Sequence, residues 1–160
     1  MRHPTIDDGA ALWRITKDSQ RLDLNSPYAY LLWARDFSRT TIVADTGGDL
    51  GGFVTGYMRP DEPTTVMVWQ IAVDEQHRGQ GLAGRLLDEL AARTGATALE
   101  TTITDDNPAS RATFAKFAER HGAELTVTPL FETEHFPSGD EFKPELLHRI
   151  APLRPTDATD

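Results

Sequence analysis

Apolar positions near the N-terminus recur at helical spacing. Ala11, Leu12 and Ile15 share one face of a predicted helix in RHPTIDDGAALWRITKDS, and Thr5 with Asp8 has the form of a capping box at its start. A second helix is predicted in LNSPYAYLLWARDF, with Ser26 as N-cap and Pro27 at the first helical position, after the short loop QRLDLN. The period then changes. TTIVAD and LGGFVTGYM flank the turn TGGD and predict a β-hairpin. After the break RPDEP, TTVMVWQIAV is apolar on both faces, as a central buried strand should be. Leu82, Leu86, Leu87 and Leu90 mark a helix that ends near Arg93. ALETTIT reads as a strand, DDNPASRATFAKFAERHG as a helix closed by Gly122, and AELTVTPLF as a strand. ETEHFPSGDEFKP is a loop and ELLHRI a last short strand. This order predicts one α/β domain over residues 1–150, a mixed twisted sheet with helices on both faces. APLRPTDATD, residues 151–160, is expected to be a flexible tail.

Composition narrows the chemistry. The chain has 160 residues and a net charge of -9, which argues against electrostatic binding to nucleic acid or to an anionic membrane. Without cysteine there is no disulfide, thiolate nucleophile or thiolate-ligated metal, and no metal site is expected. MRHPTIDDGA has no apolar stretch of signal-peptide type and no run reaches membrane-spanning length, so a cytoplasmic protein is expected.

One turn carries a chemical signal. Val73 ends the buried strand, and Arg78-Gly79-Gln80-Gly81-Leu82-Ala83 leads into the next helix. A strand, a glycine-rich turn and a helix N-terminus form an anion site, because free backbone N–H groups and the helix dipole face the same way. Glycine removes Cβ atoms that would block close approach, and Arg78 adds a cation. The turn is neither a Walker A loop, which needs Gly-Lys-Ser/Thr, nor a dinucleotide fingerprint, since Gly84 falls one place too early. By itself it fits an ordinary tight connection equally well.

WQIAVDEQHRGQGLAGRLLDEL resembles motif A of the GNAT superfamily of N-acetyltransferases, and NPASRATFAKFA resembles its motif B. The element order matches as well, after a first strand that here could only be RHP. The resemblance implies acetyl-CoA as co-substrate, with its pyrophosphate on the amides of residues 78–83. It implies a splay of the buried strand from its neighbour near Ile71, Ala72 and Val73, where the pantetheine arm would pair like an added strand. Asn107 and Ser110 would meet the cofactor, although Asn107 also suits a helix N-cap before Pro108. The family often places a tyrosine on the motif B helix to protonate the departing thiolate; the matching position, also assigned to the cofactor, is Phe114. A water, another residue or unassisted departure must cover that step.

LDLNSPYAYLLWARDF, LETTIT, PLF and PELLHRI further resemble the diaminobutyrate acetyltransferases of ectoine biosynthesis, an osmoprotectant pathway. This implies acetylation of the γ-amino group of L-2,4-diaminobutyrate, and a homodimer with contacts near the C-terminal strand edges. Asp23, Asn25, Tyr28, Trp69 and Glu145 are assigned to the substrate, whose two ammonium groups suit acidic side chains and aromatic faces. The plain alternatives are a turn or cap for Asp23 and Asn25, core packing for Tyr28 and Trp69, and a solvated charge for Glu145. Glu145, Asp23 and Glu100 are the candidate general bases, beside deprotonation through water. Phe142 stands where the subgroup commonly has a histidine, and His135 and His148 are the nearby substitutes. An acetyltransferase of another small amine, or a catalytically silent acyl-CoA-binding module, stays open beside this reading.

Overall fold

The structure is a computed structural model that describes residues 1–139 and 141–154. Its order is α1 (Gly9–Ser19), α2 (Pro27–Asp36), β1 (Thr41–Asp45), β2 (Leu50–Met58), β3 (Thr65–Val73), α3 (Leu82–Thr94), β4 (Ala98–Ile103), α4 (Pro108–His121), β5 (Glu124–Phe131) and β6 (Glu145–Ala151). The strands form one mixed sheet in the order β1-β2-β3-β4-β6-β5. The predicted first strand shrinks to a single bridge, Arg2 with Val43. Arg2 spends its guanidinium on Asp8 and Asp45 instead, at 2.8 Å each. The Thr5 N–H donates to Asp8 Oδ2 at 2.7 Å, so Asp8 holds the start of the first helical segment.

Each face of the sheet has its own core. Leu86, Leu87 and Leu90 of α3 and Phe114 and Phe117 of α4 pack with Val66, Val68, Leu99 and Ile150 on one side. Leu12 and Ile15 of α1 and Tyr30 and Ala34 of α2 pack with Val43, Phe53 and Ala72 on the other. Each fully buried aliphatic side chain of this kind contributes about 1.5–3 kcal/mol relative to exposure.

β3 supplies Val66 and Val68 to one core but Ala72 to the other, which strict alternation forbids. The cause is a register shift against β2. Thr55 pairs with Gln70 and Gly56 with Val68, so Trp69 is an extra residue on β3. This bulge inverts which face each later residue meets. Gly56 permits it, because a Cβ there would lie 2.6 Å from the Met67 carbonyl oxygen.

β3 and β4 pair in parallel only from Thr65–Ala98 to Met67–Glu100. Beyond Met67 the two strands separate. The gap therefore opens earlier than the expected position near Ile71, and it runs on through Val73.

The boundary expected after residue 150 moves. Ala151 is the last residue of β6, and Leu153 is buried with its N–H donating to the Thr97 carbonyl at 2.7 Å. Burial of Leu153 draws the chain back onto the sheet. Residues 155–160 of the expected tail lie outside the described residues.

Candidate active site

A cleft of about 760 Å³ opens at the splay. Ile71, Ala72, Val73, Arg78, Gly79, Gly81, Leu82, Ala83, Asn107 and Ser110 line it, so the structure brings together ten residues expected at the cofactor. Gly79 and Gly81 adopt φ of +76° and +70°. Nothing lies within 4 Å of a Cβ built at either, so left-handed backbone, rather than crowding within the chain, demands glycine there. Gly81 is the N-cap of α3, and the first intrahelical bond runs from the Arg85 N–H to its carbonyl. The N–H groups of the first turn are thus left for an anion. Gln80 is exposed and lines a smaller neighbouring cavity instead of the cleft.

The β3 side of the gap is also prepared. The Gln70 and Asp74 N–H groups are used toward β2, on Thr55 and Gly51. By alternation Ile71 and Val73 turn their backbone groups into the gap. The Arg78 Nε donates to the Val73 carbonyl at 3.4 Å.

On a chain of net charge -9, this cleft is basic. Among the described residues, Arg21, Arg78, Arg85, Lys116 and Arg120 line it, against the single carboxylate of Asp88. The sequence reading found only Arg78. Thr113, Lys116 and Arg120 recur with Ala109 along one face of α4, a polar stripe that helical periodicity could have revealed. Asn107 both caps and lines: its Oδ1 accepts from the Ser110 N–H at 3.1 Å while the residue faces the cleft.

Phe114 departs from its expected place. It is 2% exposed and belongs to the α3–α4 core, and it is not part of the cleft lining. An apolar ring at that position is best satisfied by burial among Leu86 and Phe117.

Among the described residues, none of those assigned to the acceptor lines this cleft, although Trp69 lies on β3 beyond its last pair with β4 and Asp23 is near enough to Glu145 for its charge to act on it. Tyr28 is 67% exposed and Trp69 53% exposed, so neither is a core aromatic. Trp69 meets Trp33 edge-on at 5.2 Å between ring centroids. Asp23 and Asn25 lie in the loop before α2, and the Asp23 carbonyl accepts from Gln70 Nε2 at 2.8 Å. Glu145 is half-buried at the start of β6. Burial raises its carboxyl above the ordinary glutamate range, a hydrogen bond to Thr102 opposes this, and the charges of Asp23 and Asp106 raise it further.

Glu100 is withdrawn from the candidate bases. It is buried at the closed end of the splay, opposite Met67, where its carboxylate accepts from Arg149 at 2.5 Å and from Arg59 at 3.2 Å. Two guanidinium groups engage both of its carboxylate oxygens at this closed end. The two histidines near Phe142 are equally occupied. His148 is buried with Nδ1 3.1 Å from the Leu146 carbonyl, and His135 accepts the Glu132 N–H at 2.9 Å. Phe142 stacks on Phe136, centroids 5.0 Å apart.

A model of the acetyltransferase (GNAT) family matches residues 9–118, more than half of the chain. The chain belongs to the GNAT acetyltransferase family. Among relatives of this acetyltransferase, the L-2,4-diaminobutyric acid acetyltransferase of Streptomyces coelicolor is 56% identical over 94% of this chain and 91% of the relative. The one from Marinococcus halophilus is 44% identical over 94% and 88%. Among solved structures, diaminobutyrate acetyltransferase EctA from Paenibacillus lautus, in complex with its substrate L-2,4-diaminobutyric acid and coenzyme A, superposes with a TM-score of 0.88 at 38% identity, covering 94% of this chain and 93% of that one. An N-acetyltransferase from Staphylococcus aureus at 21% identity shares the fold, with a TM-score of 0.72 over 94% and 96%.

Proposed function

We propose that this acetyltransferase transfers the acetyl group of acetyl-CoA to the γ-amino group of L-2,4-diaminobutyrate, giving N4-acetyl-L-2,4-diaminobutyrate. The observation that carries this reading is a basic cleft rich in free N–H groups at the glycine turn, beside a second group of residues outside its lining, the interacting carboxylates Asp23 and Glu145 and the exposed rings of Tyr28 and Trp69. The first suits a pyrophosphate and the second a diammonium substrate. The match to relatives of that name runs through the acceptor segments as well as the cofactor turn.

Acetyl-CoA supplies an acetyl group on a thioester, whose thiolate leaves readily because it is a weak base, the conjugate of a comparatively acidic thiol. The chain supplies the rest. The amides of the 78–83 turn and the Arg78 side chain bind the pyrophosphate, with Lys116 as a further cation at the cleft. Ile71 and Val73 offer backbone N–H groups on the gap side, where one polarises the reacting carbonyl oxygen. Asp23 draws the ammonium into the site, and Glu145 takes the proton that the γ-amine must lose before it attacks. Its raised carboxyl pKa makes it a better proton acceptor than an ordinary glutamate. Phe114, buried and without a hydroxyl, is not the proton donor to the thiolate.

This places the acetyltransferase in the ectoine pathway, with an osmoprotective role in the cytoplasm, where acetyl-CoA is consumed. It also works as a homodimer in this reading: the outer strand β5 leaves Val127, Leu130 and Phe131 exposed along one sheet edge. Turnover of L-2,4-diaminobutyrate, L-ornithine and L-lysine in parallel tests the substrate. A clear preference for the first is expected, and equal or no activity on it overturns the assignment.

A further inference from the structure

Gln70 is held at every polar atom it has. Its backbone N–H donates to Thr55 Oγ1 at 3.2 Å, and the same hydroxyl donates to its carbonyl at 3.4 Å. Its side-chain Oε1 accepts from the Tyr30 hydroxyl at 3.2 Å, and Nε2 donates to the Asp23 carbonyl at 2.8 Å. The residue is 5% exposed. A buried amide in this state is costly to replace, because each lost partner leaves another group unsatisfied.

The position follows from the bulge. With Trp69 as the extra residue, Trp69 is left exposed and Gln70 turns toward α1 and α2. Without it, Gln70 would share the face of Val68, in the α3–α4 core. The loop that Gln70 reaches has little else to hold it. Among the described residues, the Gln70 bond is the one hydrogen bond between the main chain of residues 22–25 and another element. Leu22 adds partial packing against the α1–α2 core.

We propose that Gln70 is a positioning residue that sets the length selectivity of the acceptor site. This rests on the diaminobutyrate reading above. Gln70 ties the Asp23 loop to the strand that also carries Ile71 and Val73, so one side chain fixes the distance from Asp23 to the acetyl-bearing gap. The Tyr30 hydroxyl holds the amide in the orientation that aims Nε2 at the loop. An amine one methylene longer then presents its nitrogen at the wrong depth. Discrimination of one methylene is worth about 10–200-fold at a fixed site, and a loop free to shift gives that up.

The test is Gln70→Met, which keeps volume and removes both side-chain bonds, with Tyr30→Phe, which removes only the hydroxyl. Steady-state kinetics on L-2,4-diaminobutyrate and L-ornithine are combined with calorimetry of acetyl-CoA binding and thermal melts. For Gln70→Met, the expected outcome is a diaminobutyrate KM raised about tenfold, kcat within about threefold, and a diaminobutyrate-to-ornithine preference reduced about tenfold. Acetyl-CoA affinity stays within about twofold. Tyr30→Phe moves the same parameters in the same direction by less, and it decides the matter if Gln70→Met does not fold. Unchanged KM and preference in a folded variant overturn the proposal, as does a parallel loss of acetyl-CoA affinity. A wild-type enzyme with no preference for diaminobutyrate would instead overturn the substrate assignment itself.

Discussion

Asp23 stands within electrostatic reach of Glu145, although one lies in the loop before α2 and the other opens β6. Burial is the larger cause of the raised Glu145 carboxyl, and Asp23 adds to it through its negative charge. A half-buried carboxylate with a second negative charge nearby favours a cationic partner. A substrate with two ammonium groups is the natural partner for such a pair.

Glu145→Gln should therefore separate stability from activity. The folded-state pKa of Glu145 lies above its ordinary value, so ionising it opposes folding. That cost is absent below the ordinary glutamate range and complete once pH exceeds the folded pKa. The Gln variant should melt at a higher temperature than wild type at pH 7, with the difference vanishing toward pH 4. Its kcat/KM should fall by about 10²–10⁴, the range for loss of a general base. Melting curves across that pH range and rates at pH 7 check both.

Asp23→Ala should raise the diaminobutyrate KM about tenfold or more, the loss expected for an unpaired ammonium partner. Acetyl-CoA affinity should hold, because Asp23 does not line the cofactor cleft. Calorimetry with each ligand separates the two. A parallel fall in both affinities would make Asp23 a structural residue.

Gly81→Ala should weaken acetyl-CoA binding through backbone strain alone. The residue has φ of +70° with open space around a built Cβ. Forcing alanine into that conformation costs about 1–2 kcal/mol. Melting should show a loss of that size, and the Kd for acetyl-CoA should rise while the diaminobutyrate KM at saturating acetyl-CoA stays near wild type.

Glu100→Gln tests the withdrawal of Glu100 from catalysis. The variant leaves Arg59 and Arg149 with Glu62 alone of the two carboxylates they share. A stability loss of about 1–3 kcal/mol is expected from disturbing this buried group. kcat at a temperature well below the melt should remain near wild type, because the residue sits at the closed end of the splay.

Most of the fold was legible because its signals are local. The 3.6-residue stripe of Leu82, Leu86, Leu87 and Leu90 and the two runs around TGGD each specify their element within a few residues. The glycine turn was legible for the same reason, and so was the loop of Asp23 through its resemblance. Glu100 was misjudged because its partners, Arg59 and Arg149, come from distant segments that only the sheet brings together. The bulge at Trp69 depends on Gly56 across the strand pair, so no pattern within TTVMVWQIAV announces it. Gln70 was overlooked for that reason: alternation alone puts it on the wrong face. Phe114 was assigned from its motif position, and its burial is a property of the α3–α4 packing that a motif does not carry.

The most direct measurement is the position of the new acetyl group. Enzyme, acetyl-CoA and L-2,4-diaminobutyrate are incubated together, and the product is resolved by two-dimensional NMR. Acetylation at the γ-nitrogen with the α-amine free is the predicted result. Acetylation at the α-nitrogen, or coenzyme A release without any acetylated diaminobutyrate, would contradict it.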